Sequence, residues 1–171
     1  MIYEFCAENV TLLEKAMQAG ARRIELCDNL AVGGTTPSYG VTKAAVELAS
    51  NYDTIIMTMI RPRGGDFVYN DLEIDIMLED IRLTAHAGSQ GVVFGTLTAD
   101  KKLDKPNLEK LIAASKGMEI VFHMAFDELS DEDQLEAIDW LSQAGVTRIL
   151  TRAGVSGDSL EKRFAHYHRI L

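Results

Sequence analysis

The chain has 171 residues, 47% of them hydrophobic and 25% charged, which is enough apolar matter for one domain with a core and excludes a disordered chain. Lys and Arg number 17 against 26 Asp and Glu, a formal charge of −9, so no broad basic surface exists for a nucleic-acid backbone or an anionic membrane. Neither nucleic acid nor a membrane is an expected partner.

The opening MIYEFCAENV carries no basic segment followed by a long apolar one, and no stretch is long and apolar enough to read as a membrane span. The expectation is a cytoplasmic chain whose two cysteines, Cys6 and Cys27, remain thiols. Along the sequence, short β-type runs alternate with segments of helical period. IYEFC precedes a helix near 9–19, RRIELC one at 40–50, and TIIMTMI one at 71–87. GVVFG leads to 106–115, EIVFH to 131–144, and TRIL to about 157–170. Asn9 stands as a cap before Val10, Leu13, Ala16 and Met17, and Ser130 opens a segment in which Leu135, Ile138 and Leu141 recur at helical spacing. Gly20, Gly88 and Gly145 fall where helices need a left-handed residue to stop. His166 and His168 fall on what reads as a surface helix and are set aside. Strands alternating with helices of this length predict a parallel sheet with right-handed crossovers.

An open doubly wound sheet and a closed (β/α)8 barrel both satisfy that pattern. Side-chain alternation favours the barrel. It puts Glu4 with Cys6, and Glu25 with Cys27, on one face of the first two strands, and continues Met57 and Met59 into Arg61 and Arg63. His123 and Asp127 repeat the rise in polarity on the fifth. A carboxylate buried in mid-sheet is costly, whereas at the C-terminal mouth of a barrel it reaches water or a cation.

The stretch MIRPRGGDFVY at 59–69 raises a specific question, because an apolar run ends in two arginines around a proline and then two glycines. Arg61 and Arg63, with the bare backbone of Gly64 and Gly65, form a candidate clamp for a carboxylate or phosphate. The competing reading makes the arginines an internal plug that neutralises Glu4, Glu25 and Asp66. Glu25, His123 and Asp127 are candidate catalytic groups, with the aspartate setting the tautomer of the imidazole. GGTTPS at 33–38 lacks the order of a phosphate-binding loop and reads as a strand-to-helix connection.

Taken together, RIELC, GGTTPSYG (33–40), MIRPRGGDF, GVVFG, FHMAFD (122–127) and TRIL resemble, in this order and spacing, the CutC family, proteins named for copper homeostasis. The resemblance covers essentially the whole chain. It implies a TIM-type α/β barrel, a cytoplasmic location, a homodimer and a role in copper binding, and it implies no assigned reaction. Cys6 and Cys27 then become candidate ligands for Cu(I), with a methionine or His123 as a third, against the plainer reading of two small buried hydrophobes. The alternative function is a barrel enzyme acting on a small anionic metabolite.

Three departures stand out. Met124 replaces the arginine of the commoner FHRAFD, Arg152 and Ala153 replace small residues after TRIL, and the chain has about six of eight βα units. Residues 1–171 are expected to form a single barrel domain without the last two units. A six-stranded sheet exposes two apolar edges, so further chain or another molecule is expected to cover them.

Overall fold

The structure, a computed structural model, describes residues 2–154 and 159–170. Six parallel strands pair in sequential order: β1 (Glu4–Glu8), β2 (Arg23–Cys27), β3 (Ile55–Met59), β4 (Gly91–Phe94), β5 (Glu119–Phe122) and β6 (Arg148–Ile149). Sequential order without reversal curls the sheet into part of a TIM-type barrel rather than a doubly wound sheet. The helices are α1 (Leu13–Gln18), α2 (Tyr39–Ala49), α3 (Asp71–Ala87), α4 (Lys105–Ala114), α5 (Asp131–Gln143) and α6 (Leu160–Ile170).

Local chemistry explains most of these boundaries. Ser38 accepts from the Val41 amide at the start of α2, and Asn70 with Glu73 forms a reciprocal capping box at the start of α3. Gly88 closes α3 at a φ of 89°, and Gly20 and Gly145 follow α1 and α5 in the same left-handed region. The first helix departs from expectation. Asn9 has a φ of 58° and spends its side chain on the adjacent Val10 amide, so α1 starts four residues later, at Leu13. Part of the helix expected at 157–170 lies outside the described residues.

Alternation sorts the side chains into two layers. Ile24, Leu26, Ile56, Val92, Phe94, Ile120 and Phe122 face outward and are covered by the helices. The inner face holds Cys27, Met57, Met59, Val93 and Val121 as a separate small core. At the N-terminal end of the strands the interior is ionic: Arg23 pairs with Glu4 and lies 3.8 Å from Glu119, which Arg148 contacts at 2.7 Å. Glu4 therefore belongs to this floor and not to an arginine plug at the mouth. His166 also departs from expectation, since it is buried and its Nε2 lies 2.8 Å from Gln134 Oε1, tying α6 to α5. No helix among the described residues is long and apolar enough to cross a membrane.

Candidate functional site

Two clusters occupy the C-terminal half of the strand interior, and Glu25 belongs to both. The first comprises Cys6, Glu25 and Cys27. The repeated Glu-x-Cys pattern suggests level cysteines, but the register pairs Cys6 with Glu25 and Glu8 with Cys27, so the thiols are staggered by two residues. The stagger places the carboxylate between them. Cys6 Sγ donates to Glu25 Oε1 at 3.5 Å and Cys27 Sγ approaches the same oxygen at 3.8 Å. One ligand atom from each of the three lies within 4.8 Å of the others. Cys27 is fully buried and Cys6 exposed on the edge strand. The Cys27 thiol is pushed upward, first by its hydrogen bond with Cys6, then by burial and by the negative charge of Glu25. Burial and the nearby Glu4 raise Glu25 as well.

The second cluster lines a cavity of about 220 Å³ at the mouth, walled by residues that include Glu25, Arg61, Phe67, His123, Asp127 and Arg152. Arg61 is buried, and its Nη1 donates to the carbonyls of Val32 (2.8 Å) and Gly34 (3.0 Å), its Nη2 to that of Gly65 (2.8 Å). Its backbone N–H donates to Thr36 Oγ1, so GGTTPS braces the arginine as well as leading into α2. Phe67 lies between the two polar walls, with its ring centroid 4.8 Å from the guanidinium carbon of Arg61 and 4.8 Å from the imidazole of His123, to which it is tilted by 50°.

The arginines do not act as a pair. β3 ends at Met59, and beyond Pro62 the backbone leaves the extended form on which alternation depends. Arg63 therefore points away from the cavity. It donates to Glu73 at 2.5 Å, to Asp66 at 3.0 Å and to the Val68 carbonyl at 2.7 Å, holding the loop to the start of α3. Gly64 lies against Val32, where an added Cβ would come within 2.8 Å, and Gly65 gives its carbonyl to Arg61, so these glycines shape the loop rather than offer amides to a ligand.

His123 and Asp127 likewise serve separate ends. The imidazole Nδ1 accepts from the Ala125 amide at 3.2 Å, which leaves its proton on Nε2, and it is this amide that sets the tautomer. Burial, with the charge of Arg61 in second place, lowers the pKa of His123 to about 3, so the ring is neutral at physiological pH. Asp127 accepts instead from Thr151 Oγ1 and from the Arg152 amide, fixing the loop after β6. Gly95 makes room for the ring, since a Cβ there would stand 2.7 Å from Nδ1. Sequence reasoning did not place Phe67, Glu128 or Arg152 in the site. The two substitutions noted in the sequence meet here: Arg152 Nε donates to Met124 Sδ at 2.9 Å.

A parallel βα sheet curled about a polar mouth, with buried acid, base and thiol groups at its C-terminal end, defines a TIM-type barrel protein. The family model for the CutC family matches residues 1–164, and the chain belongs to that family. A CutC family protein of Enterococcus faecalis is 52% identical over the entire chain, which spans 82% of that protein. A solved CutC structure from Streptococcus agalactiae has a TM-score of 0.95 at 45% identity, over 99% of this chain and 81% of that one. A human protein named copper homeostasis protein cutC homolog is 41% identical over 94% of this chain and 56% of its own length.

Proposed function

We propose that the protein takes part in copper homeostasis by binding Cu(I) through the thiolates of Cys6 and Cys27, with the Glu25 carboxylate beside them. The observation that carries this reading is the convergence of two sulfurs and a carboxylate oxygen within 4.8 Å on the inner face of two neighbouring strands. Soft thiolates suit Cu(I), and the family's name points to the same element. Among histidine, cysteine and carboxylate side chains of the described residues, Glu25 and not His123 is the third group of the cluster. Met57 and Met59 pack with Cys27 in the inner core.

Metal binding must displace thiol protons, so the raised Cys27 thiol makes the affinity rise with pH. A cytoplasmic location and a homodimer, both implied by the family resemblance, belong to the same proposal. The test is an anaerobic Cu(I) titration against a competing chelator. Wild type is expected to bind copper and Cys27→Ser to lose it while keeping its fold, because a hydroxyl is a poor ligand for a soft cation. Unchanged stoichiometry in the variant would remove the thiolate model.

A further inference from the structure

The mouth contains a buried cation that forms no ion pair among the described residues. Arg61 is 3% exposed, and among the described residues no ion pair includes it. Its Nη atoms are met by carbonyl dipoles, its Nε makes no hydrogen bond, and the groups that feel its charge nearby include Asp66, already held by Arg63, and the buried Tyr69 hydroxyl. A buried charge without a counter-ion is costly unless something supplies one. His123, 3% exposed on the same wall, also keeps an unpartnered atom, the Nε2 that carries its proton. Two buried donors thus flank Phe67, one charged and one neutral.

Three acids share the wall, and each has another engagement. Glu25 Oε1 accepts from the thiols, Asp127 holds Thr151 and the Arg152 amide, and Glu128 bonds to Lys101 at 3.0 Å. At the rim, Arg152 is exposed, and its Nε donates to Met124 Sδ. A cavity of about 220 Å³ has room for several water molecules or a small ligand in their place.

We propose that this cavity binds a small oxyanion, a carboxylate or a phosphate, whose charge pairs with Arg61 Nε, whose second acceptor oxygen takes the His123 Nε2–H bond, and whose entry Arg152 selects by charge. Charge-assisted bonds to a buried guanidinium give the anchor, and a neutral imidazole adds direction without a second buried charge. The site is distinct in chemistry from the thiolate pair, so it stands whether or not copper binds.

The probes are inorganic phosphate, glycolate and pyruvate, each followed by thermal shift and calorimetry against sodium chloride at equal ionic strength. At least one should raise the melting temperature with concentration, as any ligand confined to the native state does. A response to phosphate alone or to the carboxylates alone identifies the source of the oxyanion. Arg61→Met would leave the buried Gly34 carbonyl without its donor and endanger folding, so His123→Asn and Arg152→Gln carry the test, each expected to weaken binding about tenfold. Arg63→Met, outside the cavity, should bind as wild type does. Absence of any shift in wild type beyond that of chloride overturns the proposal, and so do equal affinities in wild type, His123→Asn and Arg152→Gln.

Discussion

His123 shows how one backbone amide decides what a side chain can do. The Ala125 N–H holds the imidazole as an Nε2–H donor, and burial together with Arg61 opposes its protonation down to about pH 3. The sign of the resulting pH dependence follows directly. As pH falls below 6.5 the unfolded histidine takes up a proton and the folded one does not, so this residue costs stability progressively until pH approaches 3. Glu25 acts in the opposite sense, since a raised carboxylate binds its proton more readily when folded, and it offsets part of the loss. The melting temperature of His123→Asn is therefore expected to fall less steeply than that of wild type on acidification from pH 6.5, and parallel curves would contradict the buried neutral ring. Residue types alone mark His123 and Glu25 as candidates. The tautomer was not legible in the sequence, because it is set by an amide that every residue possesses, and Asp127 was the more conspicuous partner.

At the scale of elements, the parity of Arg61 and Arg63 is a property of extended backbone, and β3 ends before either of them. Arg61 keeps the inward direction, while Arg63 leaves it and fastens the loop to α3 through Asp66 and Glu73. Arg63→Met is thus expected to lower the melting temperature by about 2–4 °C, the shift that a modest loss of stability produces in a chain of this size. Unaltered thermal stability would deny the arginine its structural role. Arg61→Met should cost about 1–3 kcal/mol, because the buried Gly34 carbonyl loses its donor, whereas the part-buried Val32 and Gly65 carbonyls can turn to water. Chemical denaturation measures that difference, and a loss well under it would mean that the loop re-pairs the Gly34 carbonyl. The strand and helix periods were legible almost throughout, from β2 to α5. Stagger between β1 and β2 was not, because identical Glu-x-Cys patterns carry no information on register until the strands pair.

Over the whole molecule, sequential parallel order carries the chemistry to one end and leaves β1 and β6 unpaired with each other. β1 bears Glu4 and Glu8, and charges on an edge strand discourage indiscriminate pairing without removing the exposed N–H and C=O groups. Concentration-dependent association is expected in sedimentation velocity, and a single monomeric species at every concentration would contradict the proposed homodimer. The inner face also places an ionic floor beneath a small apolar core, and the two thiols with Glu25 above that floor. The proposed copper binding depends most directly on this last arrangement. X-ray absorption at the copper edge of the Cu(I)-loaded protein reads the ligand atoms themselves. Two sulfur scatterers with one oxygen at most, and no bound copper in Cys27→Ser, is the result expected of Cys6, Cys27 and Glu25. A first shell of imidazole nitrogen, or a spectrum unchanged by Cys27→Ser, would contradict it.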